Sequence, residues 1–139
     1  MLAVSDHGPV VLPEFQEVTL TIVEFLEARL AEDELTAGAA IDCSSDWQVH
    51  YSYRDVKDGD GCYVVLADSR YPTVGQAAHI ARHSPARILR QCEAVRAVIA
   101  EFLRLDVLGD LPGRAVTEMV LRELASVHAD HVDFDPTWA

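Results

Sequence analysis

Residues 79–105 read HIARHSPARILRQCEAVRAVIAEFLRL, and they decide the fold. Ser84 followed by Pro85 marks a helix start. A Ser side chain at the cap accepts a bond from an orphan backbone N–H, and Pro fits the first helical position because its missing N–H costs nothing there. Beyond it the apolar residues Ile88, Cys92, Val95, Ile99 and Phe102 recur in steps of four and three, with Leu89 and Leu103 widening the stripe. That spacing predicts one buried helical face. Carried to Leu105, the helix has about 21 residues and spans roughly 30 Å, so the remaining elements must pack along it. Glu93 lies at helical spacing from Arg90 and Arg96, which predicts that part of this charge pairs within the helix.

Immediately upstream, Thr73-Val-Gly-Gln76 has the form of a capping box and predicts a short helix through Ile80 and Ala81. His79 and His83 are four apart, so their rings share a face. Pro85 disfavours helical backbone at Ser84 and predicts a bend, with His83 at the corner.

With 139 residues, half of them apolar, the chain is long enough for a single domain, 1–139, with its own core. No stretch approaches the 18 or so apolar residues that would span a bilayer, and no cationic–apolar leader is evident. Three cysteines, Cys43, Cys62 and Cys92, form no Cys-x-x-Cys pair. This argues against a disulfide framework or thiolate zinc site and for a reducing, cytoplasmic setting. The net charge of −12 argues against direct binding to nucleic acid or to an anionic membrane. The charge is uneven. Residues 1–60 hold 13 acids and 3 bases, whereas residues 70–104 hold six arginines against Glu93 and Glu101. Either the acidic half folds onto the basic segment, or some arginines stay open to an anion.

Residues 1–12 read as a flexible leader. A helix is expected over about 14–37, with Phe15, Val18, Ile22, Phe25 and Leu26 inward and Gly38 as its stop. A second capping box, Thr21 to Glu24, offers a later start. Trp47 to Tyr53 alternates like a half-buried strand. Asp58-Gly-Asp-Gly61 signals a turn, and Cys62 to Ala67 reads as a returning strand, giving a β-hairpin. The DVKDGDG loop superficially resembles a calcium loop but lacks its twelve-residue spacing and final Glu. Asp110, Pro112 and Gly113 break the chain again. A last helix is expected over 114–127, burying Val116, Val120 or Met119, Leu124 and Val127. The tail should fold back, because Phe134 and Trp138 are costly to leave in water. There are no repeats and no dinucleotide, phosphate-loop, serine-hydrolase or zinc-protease motif. The expected class is α+β and mostly helical: a long central helix packed with an N-terminal helix, a C-terminal helix and a β-hairpin.

Three segments, TIVEFLEARLAEDE (21–34), AAHIARHSPARILRQCEAVRAVI (77–99) and LRELASVHADHVDFDPTW (121–138), resemble an uncharacterised family of small actinobacterial and phage proteins known only as a domain of unknown function. The family's HIARHxPARxLR run is the specific part. The family pattern begins near Thr21 and places a Cys-x-x-Cys pair between the last two helices. This chain lacks that pair, so the resemblance implies no zinc knuckle. It implies no activity, and it marks His79, Arg82, His83, Pro85, Arg87, Arg90, Asp130, His131 and Trp138 as motif positions.

The motif suggests that Asp130 and His131 return to the corner at His83. Such a group can be a structural network, since buried polar groups must find partners. It can be an anion site, with Arg82, His83, Arg87 and Arg90 at a helix N-terminus. It can be a divalent-metal site, with His79, His83, Asp130 and His131 as ligands. The favoured function is a small interaction or regulatory protein without catalysis, of phage or mobile-element origin, acting on a protein partner or by self-association and needing no cofactor. The alternatives are a metal-dependent phosphoester hydrolase and an acidic mimic of nucleic acid.

Overall fold

The structure, a computed structural model, describes residues 8, 9 and 20–139. Apart from Gly8 and Pro9, the expected leader and the expected first helical turns over 14–19 lie outside the described residues. Helix α1 runs Ile22–Ala39, and the later start is the one used. The Thr21 side chain accepts from the Glu24 N–H while Glu24 reaches back to the Thr21 N–H. With extended backbone at Thr21, the helix cannot continue upstream through it. At the other end the helix passes through Gly38 and closes on Ala40.

Strands β1 (Trp47–Val49), β2 (Val56–Asp58) and β3 (Tyr63–Val65) form an antiparallel sheet in the order β1-β2-β3. Trp47 faces Asp58 and Val49 faces Val56 across the first pair. The expected strand over 47–53 is therefore too long, and the hairpin is two hairpins. The chain turns at His50 to Asp55. There the Ser52 hydroxyl accepts from the N–H groups of Arg54 and Asp55, the Tyr53 N–H donates to the His50 carbonyl, and Tyr53 takes φ 60°. The Asp58–Gly61 turn holds as expected, around a buried carboxylate. Asp58 accepts from the N–H groups of Ser44, Asp60 and Cys62. Beside it Cys43 and Cys62 form a disulfide. This corrects the expectation that no disulfide forms, and with it the argument for a reducing compartment lapses. An odd cysteine count carries no information when the third, Cys92, is simply buried.

Helix α2 (Val74–Arg82) starts at the Thr73–Gln76 capping box. Helix α3 (Pro85–Leu108) follows the bend at His83 and Ser84. Ser84 is buried and occupies the cap, but its side chain makes no capping bond. The Ala86 N–H instead donates to the Ser45 carbonyl at 3.0 Å, which ties the loop before β1 to the head of α3. Gly109 ends α3 with φ 69°, a left-handed conformation that glycine adopts without a Cβ clash. Helix α4 (Leu111–Ser126) is capped by the Asp110 side chain.

The core lies among α1, α3 and α4: Ile22, Phe25, Leu26 and Leu30 pack against Cys92, Ile99, Phe102, Leu121 and Ala125. The α3 stripe is the one its spacing predicts. In α4 the buried face differs: Leu121 and Ala125 are fully buried, while Val116, Met119, Val120 and Val127 are exposed. Two apolar stripes compete on α4, and the one containing small Ala125 and Thr117 permits the closer approach of helices. The tail folds back as expected. Phe134 and Trp138 pack on the core, and the rings of His128, His131, Phe134 and Trp138 all lie 5.2–6.1 Å from that of Phe25. The fold is α+β and predominantly helical.

Candidate functional site

The last three turns of α1, the first three of α3, the end of α4 and Trp47 line an open cavity of about 800 Å³. Leu30, Ile88, Val95 and Leu124 make its walls apolar. Asp33, Thr36, Gln91, His83 and His128 are polar groups of its lining, Trp47 adds an indole N–H that is buried without a partner, and Cys92 lies at its floor. Burial first, then the nearby charges of Asp33 and Glu34, push the Cys92 thiol above its ordinary range. It is therefore a packed thiol and not a thiolate nucleophile.

The His79 and His83 rings meet as their spacing predicts, with centroids 4.2 Å apart. His83 Nδ1 lies 2.8 Å from the His79 carbonyl oxygen. A carbonyl only accepts, so this nitrogen carries the hydrogen and Nε2 of the neutral ring is an acceptor. Arg87 donates through Nη1 to the Arg82 carbonyl at 3.3 Å, closing the end of α2. Arg82 and Arg90 are exposed, with no acidic partner among the described residues. The head of α3 offers little to an anion, because Pro85 has no N–H and that of Ala86 is already bonded to Ser45. Glu93 does not pair with Arg96. That arginine reaches across to Glu34 of α1 at 2.6 Å.

Asp130 is exposed in the turn after α4. His131 lies against Phe25, and its Nδ1 accepts from the Asp133 N–H at 3.0 Å. His79, His83, Asp130 and His131 thus do not assemble into one ligand set. Among the described residues, the group of three or more such side chains with ligand atoms within 4.8 Å of one another is Cys43, Asp58 and Cys62. There the two sulfurs bond each other, and backbone N–H groups occupy the carboxylate. His83 and His128 both line the cavity, so the end of α4 borders the same cavity as the α2–α3 corner. Sequence reading passed over His128, although it continues the Leu121–Leu124–Ala125 stripe at helical spacing.

Residues 19–139 match the family of unknown function DUF6221. The match takes in every helix and strand described above. The chain belongs to the DUF6221 family. No curated protein and no solved structure matches it. The DUF6221 match begins just before the capping box that opens α1, and no helix among the described residues is long and apolar enough to cross a membrane.

Proposed function

We infer that this DUF6221 protein is an interaction module without catalysis, and that it associates with a second copy of itself through the outward side of the α3–α4 hairpin. The observation that carries this reading is the exposure there of Val107, Leu108, Leu111, Val116, Met119 and Val120, with Val107 86% and Met119 67% exposed. Val116, Met119 and Val120 recur at helical spacing, which puts them on one face of α4. Monomers rarely leave so much large aliphatic surface together in water. A standard interface takes on the order of 800 Å² from each partner, and six large side chains exposed by 42% to 86% contribute to it.

Sedimentation velocity over a concentration series tests the reading. The wild-type chain is expected to dimerise, and Val116→Glu with Val120→Glu to remain monomeric with an unchanged helical circular-dichroism spectrum. A wild type that stays monomeric at all concentrations overturns it, as does a double variant that dimerises equally well.

A further inference from the structure

The cavity is the second feature that the fold leaves open, and its electrostatics select a ligand. Its volume, about 800 Å³, lies within the range of small-molecule sites. No Lys or Arg lines it, whereas Asp33 does, and Asp33 makes no ion pair among the described residues. Thr36, Ala37 and Ala40, from the C-terminal end of α1, form the same wall. That end carries the negative pole of an 18-residue helix and has no basic residue in its last turn. Arg96 of α3 is held by Glu34. On the opposite wall the positive pole of α3 is blunted by Pro85 and by the bond from Ala86 to Ser45. His83 Nδ1 faces the His79 carbonyl, so in the neutral tautomer Nε2 is the nitrogen left to accept. The surrounding protein carries a net charge of −12.

An apolar chamber with one unpaired carboxylate, a helix C-terminus and an imidazole acceptor is complementary to a hydrocarbon body bearing a cationic donor. We propose that the cavity is a binding site for a compact apolar amine, bound as its ammonium. The ammonium sits at Asp33 and the end of α1 and donates to His83 Nε2. The hydrocarbon lies against Ile88, Val95 and Leu124. This assignment does not depend on self-association, because the cavity and the exposed stripe of α4 are built from different residues.

Calorimetric titration with a matched pair of probes, 1-adamantylamine and adamantane-1-carboxylate, tests it. The two share one apolar body and differ in the sign of charge. The amine is expected to bind about tenfold more tightly than the carboxylate, because the exposed Asp33 carboxylate attracts the one charge and repels the other. Asp33→Asn is expected to abolish the preference by weakening the amine alone. Ala94→Trp, on the exposed rim, is expected to exclude the amine while leaving thermal unfolding unchanged. Equal or tighter binding of the carboxylate overturns the assignment. So does failure of the amine to bind, an unchanged amine affinity in Asp33→Asn, or undiminished binding in Ala94→Trp.

Discussion

The helical bundle and the segment from residue 41 to residue 72 are held together by different physics. In the bundle, Phe25, Leu26 and Leu121 are all but completely removed from water, and the polar contacts between helices are surface ion pairs such as Glu34–Arg96. Such exposed pairs contribute little to stability. In the sheet segment Val56 is the one fully buried aliphatic residue of the strands, and order comes from side chains bonded to backbone. Asp55 accepts from Ala67, Asp58 from Ser44, Asp60 and Cys62, and Asp68 from Arg70 and Tyr71. Arg54 donates to the carbonyls of Asp68 and Pro72, and the Cys43–Cys62 disulfide closes the unit. A small sheet with little apolar area of its own needs such staples. The bundle supplies its own driving force, and the sheet is attached through α2, which packs on β1 and β2, and through the Ser45–Ala86 bond at the head of α3.

The largest expected effect breaks the bundle side of this comparison. Phe25 is fully buried beneath four aromatic rings, so Phe25→Ala should cost about 3–5 kcal/mol. Denaturant unfolding followed by fluorescence checks it, since Trp138 lies on Phe25 and reports on this end of the core. A loss below about 1 kcal/mol would mean that the tail and α1 do not form the core described.

The next effect breaks the sheet side. The disulfide closes a segment with a sequence separation of 19, and a loop of that length contributes about 3 kcal/mol by restricting the unfolded chain. Cys43→Ser is expected to destabilise by about that amount. Its mark should be local: amide exchange at Val56 and Asp58 should accelerate more than at Leu121. Uniform acceleration would show that sheet and bundle open as one unit.

Acid should act selectively on the sheet as well. Burial raises the pKa of Asp58, but bonds from the N–H groups of Cys62, Ser44 and Asp60 outweigh it and hold the carboxyl below its ordinary 3.8. Asp55 and Asp68 are lowered too, first by the N–H groups of Ala67 and Tyr71 respectively. A carboxyl depressed in the folded state contributes stability above its unfolded pKa and loses it as pH falls through the folded value. Titration from about pH 5 downward is therefore expected to loosen the Trp47 environment before that of Trp138. Asp58→Asn should reduce stability at neutral pH and flatten this acid dependence. If both tryptophans respond at the same pH, the carboxylates do not hold the sheet separately.

The same division explains what was legible in the sequence. Helices declare themselves by period and by caps, and α2 and α3 were readable from Thr73, Ser-Pro and the spacing of Ile88 to Phe102, whereas for α1 the apolar stripe from Phe15 favoured a start near residue 14 over the Thr21 capping box that the helix uses. The strand over 47–53 was read too long because the sheet's boundaries follow from Ser52, Asp55 and Asp58 bonding to backbone. That is turn chemistry, which competes with an alternating pattern without erasing it. The buried face of α4 was misread for another reason. Val116, Val120 and Val127 are at least as apolar as Leu121 and Ala125, and the choice between the stripes rests on side-chain volume against α3. The cavity was legible only as a corner at His83. Asp33 and His128 reach it from elements distant in sequence, and no local pattern links them.

The smallest expected effect sharpens the comparison from within the bundle, at the one place where it departs from apolar packing. Arg29 occupies the inward stripe of α1 and is only 7% exposed. Its guanidinium lies 5.5 Å from the centroid of Phe25, and one nitrogen reaches Glu32 at 3.2 Å. Its Nε and Nη1 are buried without a hydrogen-bond partner. A single exposed carboxylate offsets little of the cost of desolvating a guanidinium. Methionine matches the length of the arginine stem and carries no charge. Arg29→Met is therefore expected to stabilise the fold by about 1 kcal/mol, a rise of a few degrees in Tm. Arg29→Ala, which removes the stem and leaves a void beside Phe25, should destabilise it instead. Calorimetric melting of the two variants separates the contribution of the hydrocarbon stem from that of the charge. Were Arg29→Met to lower Tm as far as Arg29→Ala does, the charge itself would be holding α1 in place, and the bundle would share the sheet's dependence on polar anchoring.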